Sequence, residues 1–273
     1  MFANIFHPSD FTQTSQVAFC HALKIALAVN AELKMLHVDA ANEHSHHSDF
    51  PSVREVLERW KVLRHGSSRR AVGKLGIDVQ KTILHDSHPI ETISEFLSDN
   101  PSSLVVLATH QRSQWGWFSR SKAEPIARIA SATTLFVPDG VDGFVSVETG
   151  EVQLRSLLIP IAIHPNCSVT VQSVSQLVDS LAIDSADLHF LYVGPEKSLP
   201  AIPQRLPKNL RGHVHIKTGD VVQAILTASR ELQADLIAMT TDGHHGFLDA
   251  IRGNTTEQVL RQAACPLWAV TMH

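Results

Sequence analysis

An internal repeat is the dominant feature of this sequence. In the second half, an apolar run leads into Thr240-Thr241-Asp242-Gly243, nine further residues and then Gly253-Asn254-Thr255. In the first half, an apolar run leads into Ala108-Thr109-His110-Gln111, nine further residues and then Ser121-Lys122-Ala123. Because the spacing is identical, the sequence predicts two copies of one strand–loop–helix unit.

The two copies differ in glycine content. The second copy retains Gly243 and Gly253, whereas the first copy has Gln111 and Ser121 at these positions. Glycine allows a backbone to approach a phosphate closely, and the amide groups at a helix N-terminus attract anions. The pattern is therefore typical of a duplicated nucleotide-binding scaffold in which the two sites have diverged.

Each half alternates short β-rich runs with amphipathic helices, which predicts an α/β fold with parallel sheets. We predict two tandem five-stranded Rossmann-like domains, residues 1–138 and 155–273, joined by a linker over 139–154 that is rich in turn residues. The predicted strands are 5–8, 32–38, 77–84, 104–109 and 134–137, then 156–160, 187–193, 213–217, 236–239 and 267–271. The predicted helices are 14–29, 53–73, 88–97 and 123–130, then 169–181, 221–232 and 256–263. Four prolines over 195–211 predict an irregular crossover there.

Composition excludes several classes of function. The chain has 273 residues, a formal net charge of -4 and no long block of Lys or Arg, so no nucleic-acid partner is expected. No apolar run approaches the length of a membrane span, and no signal peptide is evident, so we expect a cytoplasmic protein without a membrane partner. The three cysteines, Cys20, Cys167 and Cys265, are widely separated and are expected to be buried rather than disulfide-bonded.

Three stretches of sequence resemble the universal stress protein family in its tandem form. The opening stretch 5–12, Ile-Phe-His-Pro-Ser-Asp-Phe-Thr, resembles the family's first strand and turn, and 35–38, Met-Leu-His-Val, resembles its second strand. The closing stretch from Gly253 to Val270 is the most specific match. The resemblance implies the fold of the adenine nucleotide alpha hydrolase-like class in both halves.

The resemblance also implies a nucleotide site. In nucleotide-binding members of the family the loop reads Gly, two residues, Gly, nine residues, Gly and then Ser or Thr. Those glycines admit the phosphates to backbone N–H groups, and the hydroxyl donates one more hydrogen bond. A Pro and an Asp at the end of the first strand, with a Val closing the second, lie against the adenosine.

Carried onto this chain, the resemblance implies a different partial site in each domain. The candidate ligands of ATP or AMP, with Mg²⁺, are Pro160, Val193, Thr240, Gly243, Gly253, Asn254 and Thr255 in the second domain, and Pro8, Ser9, Asp10 and Val38 in the first. Ala162 replaces the aspartate in the second domain, and Thr240 replaces the first glycine of its loop. The expected function is a stress-response regulatory module with weak or single-site nucleotide binding, more strongly expected in the second domain.

Two other functions stay open. A degenerate scaffold would bind no nucleotide and act through protein partners, and a slow Mg²⁺-dependent ATPase would use the second loop. The family pairs domains through their last strands, which implies an intramolecular pseudo-dimer here, without excluding a homodimer.

Histidines suggest two further hypotheses. His44, His46 and His47 are ligand types that suit zinc, although a mobile polar loop is the alternative reading, and no metal site is assigned. Ser9, Asp10 and His7 could suggest a hydrolase, but alternate residues of a strand face opposite sides, so Asp10 would turn away from the other two. No catalytic residues are assigned.

Overall fold

A computed structural model describes residues 2–39, 45–109, 132–203, 205–241 and 255–271. The chain forms two compact units, Met1–Val152 and Gln153–His273, each built on a parallel sheet. The predicted helix 123–130 lies outside the described residues.

The described residues of the first unit form five strands and four helices. In chain order they are β1 (Asn4–Pro8), α1 (Gln13–Val29), β2 (Glu32–Asp39), α2 (Val53–Arg59), α3 (Arg69–Gly73), β3 (Asp78–His85), α4 (Pro89–Asp99), β4 (Leu104–Thr109) and β5 (Thr133–Pro138). The strand order is β3-β2-β1-β4-β5, and Ile5 of β1 is opposite both Leu33 and Leu104. Because the strand order reverses between β1 and β4, their carboxyl ends border the crevice where such sheets bind ligands.

The second unit repeats this arrangement. Its elements are β6 (Ser156–Ile161), α5 (Ser168–Ser180), β7 (Ala186–Val193), a 3₁₀ turn (Glu196–Ser198), β8 (Leu210–Lys217), α6 (Val221–Glu231), β9 (Leu236–Thr241), α7 (Thr255–Gln262) and β10 (Leu267–Thr271). The strand order β8-β7-β6-β9-β10 mirrors that of the first unit, with the reversal between β6 and β9. The predicted α/β class and both parallel sheets are confirmed.

The sequence prediction was wrong over 53–73, where one helix was expected. The structure has two short helices, α2 and α3, separated by a turn in which Lys61 and Gly66 have φ angles of 58° and 75°. Left-handed backbone ends a right-handed helix, so the apolar pattern continued past the point where the helix stops. The proline-rich crossover before β8 is irregular, as predicted, with only the 3₁₀ turn among its described residues.

Apolar side chains form the cores, because each sheet is covered on its faces by helices. Phe6, Phe19 and Phe136 are fully buried in the first unit, and Phe190 and Trp268 in the second. The three cysteines are buried and free, as predicted. Within the described ranges, no helix combines the length and apolar character that crossing a bilayer requires.

The segment that follows β5 packs onto the first unit. The imidazole of His21 in α1 donates from Nδ1 to the Val17 carbonyl (2.8 Å) and accepts at Nε2 from the Phe144 and Val145 amides (3.0 and 3.2 Å). The indole of Trp60 donates to the Val147 carbonyl at 3.0 Å. Residues 139–152 therefore belong to the first compact unit, although their turn-rich sequence is typical of a free linker.

Candidate functional site

The end of β1 begins the candidate site of the first unit. The Ser9 amide donates to the Leu36 carbonyl at 2.8 Å, so Ser9 extends the ladder beyond Pro8. Phe11 then adopts a φ of 61°, which turns the chain towards α1. This conformation costs roughly 1–2 kcal/mol for a residue with a side chain. Stacking of the Phe11 ring on His37, with centroids 4.0 Å apart, offsets part of that cost.

Asp10 shapes the turn into α1. Its Oδ1 accepts from the amide of Thr12 (3.1 Å) and from the Thr12 hydroxyl (2.7 Å). Thr12 in turn caps α1 by accepting from the Ser15 amide at 3.2 Å. The carboxylate therefore lies at the carboxyl end of β1, where the sequence analysis expected it, and it stabilises the local loop.

A buried polar chain lies beneath this turn. Ser9 Oγ is 3.1 Å from Ser15 Oγ, and Ser15 Oγ is 3.5 Å from Nε2 of His7. His7 Nδ1 lies 3.0 Å from the Val106 carbonyl, which can only accept, so Nδ1 carries the proton and Nε2 faces Ser15. Burial lowers the pKa of His7 to about 4. A backbone carbonyl thus orients the His7 ring, whereas a catalytic triad would use a carboxylate for this purpose. The hydrogen-bonded series of Ser9, Ser15 and His7 is therefore a structural network.

A cavity opens beside the polar turn. Its volume is about 450 Å³, within the range of small-molecule sites. Its lining residues come from the β1–α1 turn, the start of α1 and the segment before α2: Ser9, Phe11, Thr12, Gln13, Gln16, Asp49 and Pro51. Val38, buried at the end of β2, lies outside this lining. Of the four first-domain candidates, only Ser9 lines the described cavity.

His37 and Asp39 at the end of β2 were missed by the sequence analysis. His37 Nδ1 donates to the Ser9 carbonyl at 2.7 Å, and its Nε2 pairs with the Ser45 hydroxyl at 3.2 Å. The Asp39 carboxylate is fully buried, accepts from the Ser45 amide at 3.1 Å and lies 3.5 Å from His85 Nδ1. Polar residues at alternate positions near the carboxyl end of an apolar strand were the signal available in the sequence.

The second unit ends its first strand differently. Pro160 is half-buried in β6, and Ala162, which follows Ile161, is exposed and carries no hydrogen-bonding side chain. Val193, half-buried, closes β7. Pro160 and Val193, the two residues expected on the adenosine side, therefore lie near the ends of neighbouring strands, and position 162 has no carboxylate equivalent to Asp10.

Thr240 connects β9 to α5 within the second unit. Its hydroxyl is 2.6 Å from Oγ1 of Thr170 and donates to the Asn166 carbonyl at 3.4 Å. Thr170 is fully buried, so this pair satisfies a hydroxyl that water cannot reach. The residue in the position of the family's first loop glycine thus has partners inside the unit.

The central parts of both loops lie outside the described residues. These parts include Gly243, Gly253 and Asn254 in the second half, and Gln111, Ser121 and Lys122 in the first. The described flanks show that β9 ends at Thr241 and that α7 begins at Thr255. The strand predicted before this segment and the helix predicted after it are confirmed in the second unit.

The histidine-rich segment is only partly described. The His46 amide donates to Asp49 Oδ2 at 2.7 Å, and the His47 ring lies near Phe50, whereas His44 is outside the described ranges. No group of three His, Cys, Asp or Glu side chains in the described part of the chain is arranged to hold a metal ion.

The fold defines a class of protein: two tandem α/β units, each built on a parallel sheet whose strand order reverses once. The family model described as the universal stress protein family matches residues 1–138 and 161–271. The chain belongs to the universal stress protein family.

Solved structures share this architecture at low identity. A universal stress protein from Archaeoglobus fulgidus DSM 4304 is 16% identical, with 99% of each chain covered and a TM-score of 0.62. A putative universal stress protein from Pseudomonas aeruginosa UCBPP-PA14 is 12% identical over 99% of this chain and 93% of that one, with a TM-score of 0.62. The cytoplasmic domain of a prokaryotic cation chloride cotransporter is 12% identical over 98% and 95%, with a TM-score of 0.56. No curated protein sequence is significantly similar to the chain.

Proposed function

We propose that this universal stress protein is a regulatory module that binds an adenine nucleotide, ATP or AMP with Mg²⁺, in its second domain. The observation that carries the proposal is the connection from β9 to α7. It starts at the carboxyl end of a central strand, contains Gly243 and Gly253, and runs directly into the first turn of a helix. Amide groups at a helix N-terminus attract phosphate, and glycines allow it to approach the backbone closely.

The remaining groups of the second domain suit this ligand. Asn254 and Thr255 directly follow Gly253 and supply polar side chains at the start of α7. Pro160 and Val193 lie at the ends of β6 and β7, where the family holds adenosine. Without a carboxylate at position 162, we expect affinity to be lower by roughly one to two orders of magnitude, from a loss of about 1–3 kcal/mol.

The first domain supports a complementary but weaker proposal. Ser9 and Asp10 form the polar turn beside the 450 Å³ cavity. Ala108, Gln111 and Ser121 each add a Cβ where the family has glycine. We therefore expect any nucleotide in this domain to be bound through its nucleoside rather than its phosphates.

A scaffold that acts through protein partners is the second candidate. Its support is the hydrogen bond between the hydroxyls of Thr240 and Thr170, which gives the residue at the family's first glycine position a structural role. The domain boundaries, the pairing of the domains and the cytoplasmic location stay predictions.

The test is isothermal titration of the full chain with Mg-ATP and with AMP, alongside three variants. Gly253→Lys obstructs the proposed phosphate site, and Asp10→Ala removes the first-domain carboxylate. Gly73→Lys is the matched control, because Gly73 lies in α3 with open space around its Cβ position.

Saturable binding that is lost in Gly253→Lys and retained in Gly73→Lys and Asp10→Ala is the expected result. Loss in Asp10→Ala alone would assign the nucleotide to the first domain. Absence of binding up to millimolar ATP and AMP would overturn the proposal in favour of the scaffold. Phosphate release by the wild type, lost in Gly253→Lys, would indicate the slow ATPase.

A further inference from the structure

Three histidines lie on one face of the two outer strands of the second unit. His189 of β7 is directly opposite His213 of β8 in the parallel ladder. His215 lies two residues beyond His213 and so faces the same side, because side chains alternate along a strand. These three residues form a histidine cluster that is separate from the strand ends discussed above.

Two of the imidazoles contact each other directly. Nδ1 of His189 lies 3.0 Å from Nε2 of His215, and the ring centroids are 5.2 Å apart. His213 stacks on His189 at a centroid distance of 5.1 Å, but its Nε2 is bound to Oδ1 of Asp187 at 2.9 Å. The cluster therefore consists of a histidine pair, with His213 held beside it by a carboxylate.

Both rings of the pair favour the neutral state. Burial, followed by the charge of neighbouring histidines, lowers the pKa of His189 and of His215. Neutral imidazole has a lone pair for a metal ion, whereas imidazolium does not. Each ring is half-buried, so solvent still reaches the pair.

We propose that His189 and His215 chelate a divalent transition-metal ion, with a preference for Cu²⁺. Two nitrogens that bind one ion at right angles, each about 2.05 Å away, are about 2.9 Å apart, whereas tetrahedral ligands are about 3.3 Å apart. The observed 3.0 Å is a hydrogen-bond distance that lies close to both values, so small movements of the side chains suffice to place both nitrogens on one ion. The preference for Cu²⁺ follows from its affinity for nitrogen ligands, which exceeds that of the other divalent first-row metals.

Binding changes the hydrogen bond between the two rings. Without metal, the N–H group of one ring donates a hydrogen bond to the lone pair of the other. On metal binding, the donor ring must therefore carry its proton on its other nitrogen. Small rotations of both side chains then direct the two lone pairs at the ion. The neutral pair loses no net proton in this exchange.

The rest of the coordination sphere is open. No three side chains of the ligating types surround one point in the described ranges, so the site has two protein ligands. Water or a small ligand completes the coordination. The nearby charges are paired with one another: Arg211 Nε lies 3.1 Å from Asp187 Oδ1, and Lys217 Nζ lies 2.5 Å from Glu231 Oε2.

The test is titration of the chelator-treated full chain with Cu²⁺, followed by calorimetry and electron paramagnetic resonance, which detects coordinated nitrogen. The variants are His189→Gln and His215→Gln. His65→Gln is the control, because its side chain is fully exposed and remote in sequence. A double variant, His46→Gln with His47→Gln, removes the competing histidine-rich segment. Circular dichroism without metal checks that each variant is folded.

We expect one tight equivalent of Cu²⁺ with a two-nitrogen signature, weakened at least tenfold in His189→Gln and in His215→Gln. The His65 and His46/His47 variants should retain it. Loss in the His46/His47 variant, with retention in both pair variants, would overturn the assignment. A signal with fewer than two nitrogens, or no binding tighter than that of free imidazole, would overturn it as well. A further variant, His213→Gln, should retain Cu²⁺ binding. Loss of Cu²⁺ binding in this variant would overturn the proposal of a site with only two imidazoles.

Discussion

In each unit, a buried hydroxyl at the third position of the first helix hydrogen-bonds to the sheet, but its partner comes from a different place in the sheet. Ser15 is the third residue of α1, and Thr170 is the third residue of α5. Ser15 hydrogen-bonds with Ser9, just beyond β1, and approaches His7, whereas Thr170 hydrogen-bonds with Thr240 of β9. A buried hydroxyl needs a hydrogen-bond partner, and each unit supplies one from a different part of its sheet.

The residues around the two hydroxyls also differ between the units. His7 of β1 corresponds to Ile159 of β6, and both are fully buried. Ala108 of β4 corresponds to Thr240 of β9, so the first unit has no hydroxyl at that position. The same sheet topology is therefore compatible with either arrangement, provided that each buried polar group is satisfied.

The largest expected difference between the units is their response to acid. His7 and His21 are buried in the first unit, and burial lowers the pKa of each from 6.5 to about 4. The unfolded chain therefore binds protons at a pH where the folded unit does not. Stability is complete above about pH 6.5 and falls towards pH 4, by about 3 kcal/mol for each histidine.

Calorimetry over this pH range should resolve the effect. We expect the first unit to lose stability more steeply than the second, and His21→Gln to reduce the pH dependence of the first-unit transition. Equal acid sensitivity of both units would contradict this account of the buried histidines.

Gly143→Ala should produce the next largest effect, and it tests the packing of residues 139–152. Gly143 has a φ of 72°, and an added Cβ would lie 2.3 Å from the His21 ring. Gly66 has a φ of 75° but open space, so Gly66→Ala measures the backbone cost alone. We expect a loss of about 2–4 kcal/mol for Gly143→Ala and about 1 kcal/mol for Gly66→Ala.

Urea unfolding, with limited proteolysis of the 139–152 segment, measures both substitutions. Equal losses for the two alanine variants would show that His21 does not hold this segment. Greater cleavage in Gly143→Ala alone is the expected result.

Thr240→Val tests the hydroxyl pair of the second unit. The valine retains the shape of threonine but leaves the buried Thr170 hydroxyl without this partner. We expect a loss of about 1–2 kcal/mol. The double variant with Thr170→Val should recover part of it, since both hydroxyls are then removed. Additive losses in urea unfolding would show that the two residues do not interact.

Ser52→Ala should have the smallest effect and tests α2, for which the described residues of the second unit's crossover contain no equivalent α-helix. The Ser52 side chain caps α2 by accepting from the Glu55 amide at 3.4 Å. Loss of such a cap costs about 0.5–2 kcal/mol, and the long hydrogen bond favours the lower end. Hydrogen exchange should increase over 53–59 and remain unchanged in the second unit. Unaltered exchange over α2 would show that Ser52 contributes no cap.

The sequence predicted the elements whose signals are local. Apolar runs such as 104–109 and 267–271 matched their strands, and the prolines of 195–211 predicted the irregular crossover. The prediction of one helix over 53–73 was wrong because apolar periodicity does not indicate the left-handed backbone at Lys61 and Gly66. Loop glycines likewise predicted a phosphate site, but not the engagement of Thr240 with Thr170.

The class of fold and the repeat could be predicted from the sequence, because periodicity and spacing are properties of consecutive residues. The candidate nucleotide residues followed from the resemblance to the family. Contacts between distant side chains depend on the tertiary structure. It brought His21 to the Phe144 and Val145 amides, and His189 to His215 on neighbouring strands. Strand order and register determine such contacts, and both arise from packing of the whole sheet rather than from any local segment.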